Sequence, residues 1–231
     1  QTMIMRQCLL LISILCFASC SQEYMIKGNS DVMTHDGKTF YLREAYSQSS
    51  IAVIDSSRVE HGTFSFCGDT DTIQLVGLYM GAERVMPVVL EGGNLTIEVS
   101  HMRTKLRGSK LNERLNKLLS ERTRILAKQD ELRRKCIVML YNGSNEDEIY
   151  QKITVPSLKL VKKLEALETK FIKENYDNTL GPGFFIWLFG QYTVPVITPQ
   201  IKSILDGAPE EFKCHPYIRE YIRQAKHTID E

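Results

Sequence analysis

The sequence is short of net charge, of chain breakers and of paired cysteines. Its 29 Lys and Arg are offset by 28 Asp and Glu, which leaves +1. A dedicated nucleic-acid binder needs a clustered basic face, so this balance argues against that class. Gly and Pro number 14 and 7 in 231 residues, too few for a low-complexity or collagen-like chain. No C-x-x-C occurs, which excludes a thioredoxin-type dithiol within these residues. The five His never stand three or four apart, so no helical zinc site is written. There is no G-x-S-x-G elbow and no phosphate loop. Gly181 and Gly183 lack the third glycine and the preceding strand of a dinucleotide site. Asp69-Thr-Asp71-Thr72 lacks the Gly and distal Glu of a calcium loop and reads as a polar hairpin turn. No catalytic, cofactor-binding or metal-binding residue is therefore assigned.

What is present fits a folded protein: 43% hydrophobic and 25% charged residues. The amino terminus reads as an address. Arg6 precedes the apolar run Cys8-Leu-Leu-Leu-Ile-Ser-Ile-Leu-Cys-Phe-Ala-Ser19, and Cys20 follows. A positive charge, an apolar run and small residues before a cut site make a secretory signal over residues 1–19. The run is well below the roughly 20 residues of a membrane-spanning helix. Phe17-Ala18-Ser19-Cys20 resembles a bacterial lipobox, with Phe17 where Leu is usual. That resemblance implies cleavage before Cys20 and lipid attachment at Cys20. Each buried acyl methylene contributes about 0.8 kcal/mol, so two or more chains hold stably. Residues 20–24 read as a tether, and Ser21, being no Asp, points to the outer membrane. Gln1 and Thr2 precede the first Met, so Met3 or Met5 is the expected start.

Six cysteines divide accordingly. Cys8 and Cys16 leave with the signal and Cys20 takes lipid. Cys67, Cys136 and Cys214 remain in an envelope that permits disulfides, and an odd number closes at most one pair. Cys67, after Thr63-Phe-Ser-Phe66, and Cys136, on a helical apolar stripe, read as buried small hydrophobes. Cys214 stands beside His215, but sequence neighbours rarely converge on one site, and Pro216 marks a helix start.

The remaining chain falls into two periods. Residues 25–108 read as short strands separated by turns. Phe40 and Leu42 share a face, as do Phe64 and Phe66 after the turn at Gly62. Ile73 and Leu75 share another, Val85–Leu90 is apolar on both faces with Pro87 marking an edge or bulge, and Leu95, Ile97 and Val99 alternate with polar residues. This spacing predicts an antiparallel β-sandwich. From Ser109, a hydroxyl suited to cap a helix, the period becomes helical. Leu111, Leu115, Leu118, Ile125, Leu132 and Cys136 form a stripe interrupted by Arg122 and Gln129. The helix ends near Asn142-Gly143, and Ser144 or Asn145 caps the next, which Pro156 should kink or break. Phe184–Phe189 reads as a buried helical turn. Thr198-Pro199 and His215-Pro216 open two more helices, the last burying Ile218, Tyr221, Ile222 and Ala225. On one helix Lys162, Lys163, Lys170 and Lys173 interleave with Glu165, Glu168 and Glu174, as intrahelical pairs would. The expected class is α+β: an amino-terminal antiparallel β-sandwich (25–108) followed by an all-helical segment (109–231).

One order of motifs is familiar: Gly37-Lys-Thr-Phe-Tyr-Leu42, Ile54-Asp-Ser56, Val59-Glu-His-Gly-Thr-Phe-Ser-Phe66-Cys-Gly68, Val89-Leu-Glu-Gly-Gly-Asn-Leu-Thr-Ile97, Leu106-Arg-Gly-Ser109 and Asn112. It resembles the domain of unknown function at the amino terminus of many envelope thiol-disulfide oxidoreductase lipoproteins. In that family a β-domain ends in Gly-Ser and a helical segment follows, here similar around Phe171-Ile-Lys-Glu-Asn175. A thioredoxin domain normally comes next, and its catalytic residues are not in these 231. The resemblance thus implies fold, anchor and location, not activity. The expected function is a lipid-anchored cell-envelope binding or accessory module without catalysis of its own. Its partners would be the membrane, through the anchor, and an envelope protein, peptide or glycan, with no nucleic acid and no cofactor. The alternative is an accessory partner in thiol-disulfide exchange using lone cysteines. The apolar residues of 184–192 could line a pocket, though core packing is their expected role.

Overall fold

The structure, a computed structural model, describes residues 21–44, 52–101, 103–192 and 194–227. The expected signal over 1–19 and the expected lipid site Cys20 lie outside the described residues. Eight strands come first: β1 (Gln22–Ser30), β2 (Thr39–Glu44), β3 (Val53–Arg58), β4 (Thr63–Thr70), β5 (Gln74–Met80), β6 (Glu83–Leu90), β7 (Gly93–Val99) and β8 (Thr104–Arg107). Residues 22–24, read above as tether, are already strand, and Tyr24 is buried. The strands form two sheets, ordered β4-β1-β7-β8 and β3-β2-β5-β6. The α+β class and the sandwich hold, with one departure: β1 runs parallel to β7. Pro87 lies on β6, an edge strand, where the lost N–H costs no ladder bond to a further strand.

Turn chemistry sets the registers. His61 and Gly62 both have positive φ, 51° and 74°, and Glu60 and Thr63 exchange both backbone hydrogen bonds. This two-residue turn matches the right-handed twist of its flanking strands. Alternation follows in β4: Phe64 and Phe66 point inward, Ser65 and Cys67 outward. In β1 the buried positions include Gly28, because the Phe64 ring from the neighbouring strand occupies the space a Cβ would need.

β5 and β6 break the alternation, with Leu75 through Tyr79 and Met86 through Leu90 all buried. Both faces are covered, one by the opposite sheet and the other by helices. Ile73, paired above with Leu75, instead lies in the turn before β5 and is exposed.

The helices are α1 (Lys110–Tyr141), α2 (Glu146–Ile149), α3 (Val155–Lys173), α4 (Leu180–Phe189), α5 (Pro199–Asp206), α6 (Glu210–Cys214) and α7 (Pro216–His227). Ser109 caps α1 by accepting from the Asn112 N–H at 3.1 Å. Asn145, rather than Ser144, caps α2, and Thr198 caps α5. Before Pro156 the chain makes a single π-helical stretch, Tyr150–Thr154. The wider turn accommodates a residue with no N–H to give and a ring that would crowd the preceding turn.

Gly108 joins the two parts. Its φ is +127°, and a Cβ there would meet the Asn94 carbonyl oxygen at 2.3 Å. Only glycine fits, which gives the Gly-Ser junction a physical reason. Helix α4 then lies directly on β5. A Cβ on Gly77 would meet the Trp187 ring at 2.8 Å, and one on Gly183 would meet Leu75 at 2.5 Å. One continuous hydrophobic cluster therefore runs from Tyr24 through Phe184 and Phe185 to Ala225.

Candidate functional site

At the edge of this cluster, four elements meet around an open depression of about 400 Å³. Strand β6 supplies Arg84, the β7–β8 turn His101 and Arg103, α1 Arg122 and Thr123, and α4 Trp187 with Gln191 just beyond it. No Asp or Glu lines it.

Each arginine is placed by local structure. The Arg84 guanidinium lies over the Trp187 ring, 3.7 Å from its centroid, and donates to Gln191 Oε1 at 2.9 Å and to the Trp187 carbonyl. Its Nε is buried and without a hydrogen-bond partner. Burial, together with the Arg122 charge and against Tyr79, pulls its pKa below the ordinary guanidinium value. Arg103 sits in a turn that Ser100 pins: the Ser100 hydroxyl donates to the Arg103 carbonyl at 2.8 Å and accepts the Arg103 N–H at 3.2 Å. Arg122 donates from Nε to Glu168 Oε1 at 2.7 Å, and its guanidinium lies 5.9 Å from the Phe184 centroid. The residue that interrupts the apolar stripe of α1 is thus the one that ion-pairs with α3. Arg84 and Arg103 form no ion pair among the described residues.

A second polar joint holds the helices to the sandwich. Asn112 is fully buried in the first turn of α1. Its side chain accepts the Val89 N–H and donates to the Val89 carbonyl, both at 2.9 Å. It thus satisfies the free edge of β6 as a further strand would. The Ser109 hydroxyl donates to Glu91, and Asn116 accepts the Leu106 N–H at 2.9 Å. Asn175, the last residue of the second familiar motif, is likewise buried; it accepts from Arg114 at 2.7 Å and donates to the Phe171 carbonyl at 2.7 Å. These joints are structural: every polar atom they bury is matched.

The cysteines are not brought together. Cys67, Cys136 and Cys214 are free thiols. Cys67 is exposed, against the expectation of burial, because the alternation that buries Phe64 and Phe66 turns it outward. It lies in a shallow depression with Glu23, Tyr24 and Asp69, and its N–H donates to Asp55 at 3.1 Å. Reactive thiols sit beside cations, and none lines this depression. Cys136 is half-buried and Cys214 exposed. The His215 ring packs against Tyr217, and burial of the imidazole pushes its pKa down. Asp71 and Thr72 form the bend between β4 and β5. No group of three or more His, Cys, Asp or Glu among the described residues could hold a metal ion. Also among them, no helix is long and apolar enough to cross a membrane. Phe184–Phe189 is buried as expected, while Trp187, Leu188 and Gln191 also border the arginine depression.

Residues 24–115 match the family model of DUF4369, a domain of unknown function. The DUF4369 match spans the sandwich from within β1 and ends inside α1, so it includes Gly108, Ser109 and Asn112. Arg84 and Arg103 fall inside the DUF4369 region, whereas Arg122, Trp187 and Gln191 fall outside it. The depression therefore lies at the seam between the DUF4369 region and the helices that follow. No curated protein matches the chain.

Sequence reading missed all three arginines. The one local signal was Arg122 standing where the apolar stripe of α1 required a hydrophobe. Arg84 and Arg103 carry no such mark.

Proposed function

We propose that this protein is a lipid-anchored binding module of the bacterial cell envelope with no catalytic activity of its own. The supporting observation is the arginine-lined depression at the seam. It offers charge and a concave surface, while its Ser100 hydroxyl is engaged with the Arg103 backbone. The address rests on Arg6, the apolar run to Ser19, and Ala18-Ser19 before Cys20. The anchor would be the acylated Cys20, the membrane the outer one, and the partner an envelope protein, peptide or glycan. Labelled fatty acid should enter the wild type and not Cys20→Ala; equal incorporation would remove the anchor from this reading. Crosslinking an affinity-tagged full chain in cells should recover an uptake or envelope-assembly component.

A second reading, an accessory role in thiol-disulfide exchange, is favoured by the exposure of Cys67 and Cys214. It requires a crosslinked partner bearing a thioredoxin domain. It also requires a thiol alkylated at neutral pH faster than an unperturbed cysteine. Ordinary alkylation rates at Cys67, Cys136 and Cys214 would reject it.

A further inference from the structure

The seam depression has the chemistry of an oxyanion site. Three guanidiniums border it, and the acidic partner found among the described residues, Glu168, engages Arg122 alone. Arg84 is held by neutral acceptors, the Trp187 carbonyl and Gln191, and stacks on an indole face. Its planar group is therefore fixed in orientation before any ligand arrives, and the entropic cost of ordering it is already met. Arg103 is exposed at the rim, on a turn tied by Ser100; Glu98 on β7 feels its charge, but Arg103 forms no ion pair among the described residues. The two arginines border one depression whose lining holds no Asp or Glu, so its potential is positive. A concave cationic surface of this kind is complementary to a negative group, which a guanidinium holds by charge-assisted, paired hydrogen bonds. Burial first, and the Arg122 charge after it, lower the proton affinity of Arg84.

We infer that the depression bordered by Arg84, Arg103 and Arg122 binds a small organic oxyanion, through a carboxylate or phosphate group seated between the arginines. The volume of about 400 Å³ is within the ordinary range for small-molecule pockets. The wall formed by Leu119, Leu126 and Leu188 leaves room for an apolar portion beside the charged group. This inference rests on the binding-module reading and specifies the ligand class.

The test is isothermal titration calorimetry on the full chain in detergent, with inorganic phosphate and succinate as separate probes. Arg103→Gln is the main variant, because the residue is exposed and its loss leaves the fold intact. It should weaken binding by about tenfold or more, the scale of a charge-assisted hydrogen bond. Lys159→Gln, an exposed cation on α3, should leave binding unchanged. Glu168→Gln should tighten binding by freeing the Arg122 guanidinium. Binding of phosphate alone would assign a phosphorylated ligand, and binding of succinate alone an acidic peptide or sugar acid. No heat with either probe at millimolar concentration, or equal binding by wild type and Arg103→Gln, would overturn the inference. Neither of those results would touch the anchor or the partner search, which labelling and crosslinking decide.

Discussion

The two ends of α1 are written in the same pattern and have opposite fates. Its first half packs on the sandwich and on α3, where Leu115, Leu118, Leu119 and Ile125 are buried. Its last turns carry Ile137, Val138, Leu140 and Tyr141, all exposed, with Met139 alone buried. The helix is 32 residues, about 48 Å, and extends well past Leu119, the last of its residues in the shared hydrophobic cluster. The lesson is that an apolar stripe marks what a helix can bury, while the length of the surface beneath it decides how much is buried. Leu132 and Cys136, predicted on the stripe, are only half-buried for this reason.

Substitutions at the two ends should separate them. The largest effect is expected in the shared core: Phe184→Ala, at a fully buried ring edge-on to Phe171, should cost about 3–5 kcal/mol. A fall of about 10 °C or more in Tm would register it. Leu115→Ala on the proximal half should cost about 2–5 kcal/mol in urea unfolding. Next comes Asn112→Ala. It removes the partner of both Val89 backbone groups and should cost about 1–3 kcal/mol for each group left dry. Water entering the gap would show as faster amide exchange at Val89. Ile137→Asn on the distal half should change stability by no more than about 0.5 kcal/mol. A loss comparable with Leu115→Ala would mean that the distal half is covered, and the contrast would fail.

The smallest effect is one of pH. Burial pushes the pKa of His215 below 6.5; that of His35 falls for the same reason, with Lys38 adding to it. As pH drops through 6.5 the unfolded chain takes up protons that the native imidazoles refuse. Stability is therefore full above that pH, and is lost progressively down to the depressed native values. Urea midpoints should fall between pH 7.5 and 5.5, and less steeply in His215→Phe than in wild type. A midpoint unchanged by pH would contradict the burial of both rings.

Much of the fold was legible because local rules and the global fold agree. Ser109 and Thr198 cap the helices they precede, and Pro199 and Pro216 open theirs. Pro87 sits on an edge strand. Two strands were not legible. The inward positions of β1 are Tyr24, Ile26, Gly28 and Ser30, so only two carry an apolar signal: a ring from β4 fills the space at Gly28, and Ser30 bonds His35. β8 has one buried residue, Leu106. Cys67 faces outward because the phase of Phe64 and Phe66 specifies its side; period outweighs the average preference of cysteine for the interior. The seam depression was not legible at all. Its arginines are separated by 19 residues in each step from 84 to 103 to 122, a spacing that matches no element, and only the packing of α1 and α4 on β6 unites them.

The parallel pairing of β1 with β7 has a consequence in time. The sheet β3-β2-β5-β6 has all its strands once β6 has emerged, with β2 reaching across β3 and β4 to pair with β5. In the other sheet β1 occupies an inner position, between β4 and β7, and neither partner is its sequence neighbour. β1 can pair with β4 on one edge but must wait for β7 on the other, and long-range closures of this kind are slow. A chain threading amino-terminus first would complete one sheet of its sandwich early and leave the β7-facing edge of β1 unpaired until Val99 has followed.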